Sequence, residues 1–261
     1  MSSTNDSNFY YSALNYIEIN FLVEVHLLEK YFAEVSLKPL LLNGKGVLMI
    51  NYHDYYSTFN KDIGFTQEIE VGIYCVPKSK NNQITGDEGI EILDNVEKIS
   101  SYNIGIYRIH VPCNDDIAIE AGITKFGEPK YKMDFNTSLP SFNGDLDNRW
   151  LIDCKEVSSA TDSVLSFQVN LTEVNSKRSF LSSRLYYGEK NNDLIGSWWN
   201  LFDFIESYYL DEYCNCWEVQ FGRSNHYFKE EMKELIENNK PFLIRTYISS
   251  PVAKQSTSFK I

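Results

Sequence analysis

Apolar and polar positions alternate over short runs in the first half of this chain, with one segment at helical spacing. Asn15 to Val25 alternates and predicts a strand. Val25 to Phe32 carries its apolar residues at helical intervals and predicts a short helix. Asn43-Gly44-Lys45-Gly46 is a turn signal, and Val47 to His53 behind it reads as a buried strand. Glu68 to Val76 alternates up to Pro77 and predicts another strand, followed by a polar loop over 78–88. Ile104 to Val111 reads as a strand stopped by Pro112. Asn114 or Asp115 caps a short helix from about Asp116 to Gly122, with Gly122 as its C-cap. From Pro129 the chain extends again.

The second half is less regular. Leu165 to Leu171, Ser182 to Tyr187 and Cys216 to Phe221 predict strands. Ile195 to Asp211 places Trp198, Leu201, Phe202, Ile205, Tyr208 and Tyr209 at helical spacing and predicts a helix packed on a sheet. Its aromatics also fit a ligand wall or a subunit interface. Tyr227 to Asn238 predicts an amphipathic helix with Phe228, Met232, Leu235 and Ile236 inward, and Phe242 to Ile248 a last strand. No repeat, low-complexity block or linker interrupts the chain. The pattern predicts one β-rich α+β domain over residues 10–261, behind a disordered tail at 1–9.

Composition narrows the function. The 261 residues suffice for a sizeable core. The 18 Tyr and 16 Phe favour β-structure and an aromatic-lined interior. A net charge of −12 without a Lys/Arg cluster argues against a nucleic-acid partner and against an anionic membrane surface. No apolar run approaches the ~20 residues that span a bilayer, and the polar N-terminus lacks a signal-peptide pattern, so cytoplasmic residence is expected. Five cysteines, an odd count, predict no disulfide framework. Cys214 and Cys216 form a lone C-x-C, too sparse for a metal site, and the four histidines lack metal-ligand spacing. Neither a metal nor a cofactor is expected.

The candidate chemistry centres on Lys130, which follows Pro129 just after the predicted helix. A buried lysine is pushed down from the ordinary pKa of about 10.4, because desolvation penalises the ammonium, and the free amine attacks carbonyls. His53, beside Asp54, reads as a hydrogen-bonded histidine at a strand end or as a base oriented by a carboxylate. His110 sits where it would line a pocket, whereas His26 and His226 read as structural.

The segment Val111-Pro-Cys-Asn-Asp-Asp-Ile-Ala-Ile-Glu-Ala-Gly-Ile-Thr-Lys-Phe-Gly-Glu-Pro-Lys130 resembles the core motif of the acetoacetate decarboxylase superfamily. Gly122, Pro129 and Lys130 fall at the family spacing, and Asn51 to Asp54 and Glu70 to Pro77 resemble the two strands before the motif. The resemblance covers roughly residues 20–135. It implies an antiparallel sheet or barrel around a central cavity, with a few peripheral helices and homo-oligomeric assembly. It implies that Lys130 forms an imine with a keto acid and that Glu70 faces it and shuttles protons, with Glu68 as the alternative one pleat away. Arg108, Tyr131, His53 and His110 are the candidate substrate-binding residues.

Departures from the pattern shift the expectation. Tyr131 stands where the decarboxylase has a second lysine, with Lys132 one residue further on; Leu48 replaces a family glutamate; and no arginine matches around Leu14 to Tyr16. Glu128 would oppose activation if it pointed at Lys130. The reading is a Schiff-base lyase of secondary metabolism acting on a keto acid, by decarboxylation or by aldol addition and dehydration. The alternative is a non-catalytic member that binds a small apolar or aromatic metabolite.

Overall fold

The computed structural model describes residues 10–59, 62–84, 89–143, 147–157, 162–179, 183–191 and 193–250; the tail expected at 1–9 lies outside them. Long alternating strands dominate. A hairpin of Lys45–Phe59 and Asp62–Pro77 forms the centre of the main sheet. Tyr11–Val23 and then Pro241–Ile248 flank it on one side, and Gly105–Cys113 on the other. Ser183–Lys190 pairs in parallel with Gly105–Cys113, and Asp193–Asn200 forms the edge beyond it. Four antiparallel strands, Asp134–Ser138, Arg149–Lys155, Ser163–Asn170 and Trp217–Phe221, make a second sheet. The fold is therefore β-rich α+β, as the periodicity predicts. The main sheet runs between two edges, Lys177–Ser179 and Asp193–Asn200, and no ladder joins them among the described residues.

Period-two alternation sorts each central strand between two environments. Ile17, Ile19, Ile50, Tyr52, Ile69, Val71 and Ile73 join a core with Trp150 and Phe167 of the second sheet and with Phe228 and Met232 of helix Tyr227–Ile236. Tyr16, Met49, Tyr55, Tyr74 and Ile106 take the opposite face, together with the polar residues Glu18, Asn51, His53, Glu68 and Glu70. Buried carboxylates need partners, and they make this face the candidate side for a site.

Two segments depart from the sequence reading. Ile195 to Asp211 is not a helix but two strands, Asp193–Asn200 and Ile205–Tyr209. Its aromatics fit both periods; the edge strand is fixed by a hairpin closed at the Lys190↔Asp193 pair, with Asn191 at φ 53°, a conformation that asparagine tolerates. The strand before the motif also runs through Pro112 to Cys113. Val111 and Pro112 fall in a gap of the ladder to Asp62–Pro77, between Val71↔His110 and Glu68↔Cys113, so the missing proline N–H removes no bond there. Val96–Tyr102, capped by Asn95, is a helix with no counterpart in the sequence reading. Among the described residues no helix is long and apolar enough to cross a membrane.

Charges also cross the fold. Glu18, fully buried, accepts from Arg245 at 2.5 Å and Arg184 at 2.6 Å, and from Tyr16; Arg245 also reaches Asp94 at 2.5 Å. These contacts clamp the first strand to the last and to the Ser183–Lys190 strand. Burial alone would raise the Glu18 carboxyl, but Arg184 and Arg245 outweigh it and hold it at about 2, below its ordinary 4.5. The network's contribution is therefore complete above about pH 4.5 and is lost as pH falls towards 2. Arg245→Met is expected to lower unfolding stability by about 3–5 kcal/mol, because it strands a buried carboxylate. Urea denaturation at neutral pH measures this, and a loss below about 1 kcal/mol would contradict the clamp.

Candidate active site

Lys130 opens the short strand Lys130–Lys132, which pairs in parallel with Gly105–Cys113. The turn before it is built for close approach. Asp115 caps helix Asp116–Ala121 by accepting from the Ile117 N–H, and the helix runs on into a wider turn, Gly122–Phe126. A Cβ on Gly122 would lie 2.6 Å from Lys130 Cδ, so only glycine lets the lysine stem lie against the helix. Gly127 then reverses the chain at φ 62°.

The Lys130 side chain is buried, and its Nζ donates to Glu68 Oε2 at 2.5 Å. Glu128 Oε2 lies 3.2 Å from the same nitrogen. The other oxygen of Glu68 meets His53 Nε2 at 2.5 Å. The facing contact expected of Glu70 is thus made by Glu68. Glu70 instead accepts from Arg108 at 2.7 Å and from Asn51 at 2.8 Å. Both glutamates occupy the same face of one strand, and the His53↔Glu68 register places Glu68 against the histidine. Arg108 also pairs with Glu128 at 2.7 Å and lies over the Tyr186 ring at 4.5 Å.

Burial would lower the Lys130 pKa, but Glu68 and Glu128 together outweigh it and hold the ammonium well above its ordinary range. This overturns the expectation that desolvation decides the state of the amine. Glu68 is opposed by burial but depressed overall by Lys130 and His53. Burial alone would lower the His53 pKa; Glu68 more than compensates and raises it.

Lys130, Glu68, Glu70, Arg108 and His53 all line one cavity of about 850 Å³. Tyr131 and His110 do not. Tyr131 takes the opposite face of the pleat from Lys130 and packs on His226, Tyr227 and Phe228. His110 shares its parity with Arg108, but the register shift between Val71 and Gly72 leaves Ile109 as an extra residue and turns His110 to the other side. There it meets Glu231 at 2.8 Å. Lys132 returns to the Lys130 face, yet its Nζ bonds Asp116 and the Asn114 carbonyl on the surface. The sequence reading missed Tyr16, Tyr55 and Tyr186, which also line the cavity; Trp198, Trp199 and Phe202, from the aromatic stretch it offered as a ligand wall, line it too.

His53, Glu68 and Glu70 bring one ligand atom each within 4.8 Å of one another. A metal ion there would face the Lys130 ammonium and the Arg108 guanidinium, which already neutralise these carboxylates. The set suits proton transfer around an amine better than metal binding.

No family model matches the chain, and no curated protein matches it. Solved structures do. The enduracididine biosynthesis enzyme MppR, complexed with pyruvate, aligns at TM-score 0.60 and 9% identity over 94% of this chain and 88% of its own. The chain shares its fold with this enzyme and with acetoacetate decarboxylase-like enzymes. An acetoacetate decarboxylase-like enzyme from Sphingomonas wittichii RW1 aligns at 0.53 and 10% identity over 92% and 89% of the two chains. Acetoacetate decarboxylase from Legionella pneumophila aligns at 0.52 and 9% identity over 95% and 87%.

Glu128→Gln is expected to lower the Lys130 pKa, because one of its two carboxylates loses its charge. The pH dependence of Lys130 dimethylation by formaldehyde and borohydride, read by peptide mapping, measures it. An unchanged or raised midpoint would contradict the assigned electrostatics.

Proposed function

We propose that the chain is a Schiff-base-forming lyase that acts on a keto acid, by decarboxylation or by aldol addition and dehydration. The observation that carries this reading is the buried Lys130 amine held against Glu68 at one end of a large cavity. Likeness to MppR complexed with pyruvate supports a keto-acid ligand.

The residues divide the work as follows. Proton transfer from Lys130 to Glu68 leaves the net charge of the pair unchanged, so it is the least costly route to a free amine inside the cavity. The amine adds to the keto carbon, and water leaves with a proton returned by Glu68, giving an iminium. That iminium accepts the electron pair released when CO₂ departs, or when an α-proton is removed; the resulting enamine is reprotonated or adds to an aldehyde. Hydrolysis restores Lys130. His53 shares Glu68 with Lys130 and holds or supplies the proton in transit. Arg108 Nε and His53 Nδ1 are buried without hydrogen-bond partners among the described residues and offer donors to the substrate carboxylate.

A second reading, a non-catalytic protein that holds an apolar or aromatic metabolite, is favoured by the two carboxylates that keep Lys130 charged. Borohydride trapping with pyruvate, acetoacetate and longer keto acids separates the two. The lyase reading predicts a reduced adduct on Lys130, absent in Lys130→Ala and formed about 10²-fold or more slowly in Glu68→Gln. No adduct with any acid, or an adduct on Lys132 alone, would contradict it.

A further inference from the structure

The cavity is divided by polarity. Among the described residues, every charged side chain that lines it, together with His53, belongs to the Lys130 cluster. Another part of the wall, from Gly196 to Phe202 with Tyr10, Leu14 and Tyr16, carries no ionisable group other than tyrosine hydroxyls among the described residues. Its volume of about 850 Å³ lies towards the upper end of the ~300–1,000 Å³ typical of pockets for drug-sized ligands. A three- or four-carbon keto acid would leave most of it empty.

A row of rings joins the two parts. His53, bonded to the carboxylate that holds Lys130, stacks on Tyr16 with centroids 6.2 Å apart and planes inclined at 27°. Tyr16 continues the stack onto Trp199 at 5.6 Å and 27°. The clamp on Glu18 fixes Tyr16 by accepting from its hydroxyl. Trp198 and Phe202, 48% and 87% exposed, stand at the open side of the same cavity. Stacked ring faces, with no charge to pair, suit a flat uncharged group better than a branched aliphatic or an ionic one.

We propose that the carbonyl substrate carries an uncharged aromatic tail, with its keto group at Lys130 and its ring against Trp199, which the buried Tyr16 backs. This rests on the lyase reading above and narrows its substrate class to aryl keto acids.

The test is borohydride trapping at graded concentrations of phenylpyruvate, 3-cyclohexylpyruvate and pyruvate, read by intact mass and peptide mapping. Lys130 Nζ adds to the keto carbon, water leaves, and borohydride reduces the iminium to a secondary amine. Phenylpyruvate is expected to half-saturate at a concentration about tenfold or more below that of pyruvate, with the cyclohexyl acid between them. Trp199→Leu is expected to collapse that ratio, and Trp199→Phe to retain it. Equal half-saturation for all three acids, or a ratio unchanged in Trp199→Leu, would overturn the inference while leaving the imine reading intact. If no acid is trapped, the imine reading falls by itself. Quenching of tryptophan fluorescence by phenylpyruvate, lost in Trp199→Leu, would then still support the aromatic wall, and its absence would overturn it.

Discussion

A buried ammonium has to be matched by carboxylate, and that requirement organises this structure. Lys130 lies in the interior because Gly122 leaves room for its stem, and it stays charged because Glu68 and Glu128 face its nitrogen. Glu128 is shared with Arg108, Arg108 with Glu70, and Glu68 with His53. Each of these charges would be costly alone at this depth; together they are balanced. The long central hairpin exists in its present register partly to hold them: one pleat of slippage would part His53 from Glu68.

The same balance sets the chemistry. A lysine activated by desolvation alone would be neutral in the empty cavity. Here the amine is held as an ion pair, so in the proposed imine chemistry the proton has a defined acceptor at 2.5 Å. The aromatic end contributes shape in place of charge. The clamp of Glu18 by Arg184 and Arg245 ties the strand that bears Tyr16 to the strands around the cavity, so stability and cavity wall share one network.

Much of this was legible where the signal is local. The strands up to Pro77, the Asp115 cap and the Pro129-Lys130 step follow from period-two runs and turn chemistry within a few residues; Gly122 follows the predicted helix but stays right-handed, and the left-handed turn falls at Gly127. What stayed hidden depends on register or distance. Glu68 and Glu70 have the same parity, so only the pairing with His53 separates them. A bulge at Ile109 that no residue type announces moves His110 out of the cavity. Aromatics from Trp198 to Tyr209 fit a helix as well as two strands, although the Asn191-Asn192 pair between apolar runs was a usable hairpin signal. The Glu18–Arg245 pair spans nearly the whole chain and has no local trace.

The charge state of Lys130 is the centre of the account. Nitrogen-detected NMR of ¹⁵N-lysine protein, with Lys130→Ala for assignment, reads it directly across a pH titration of the empty protein. The expected Nζ resonance stays ammonium across the pH range in which an ordinary lysine loses its proton. An Nζ that is already a neutral amine near pH 7 would contradict it.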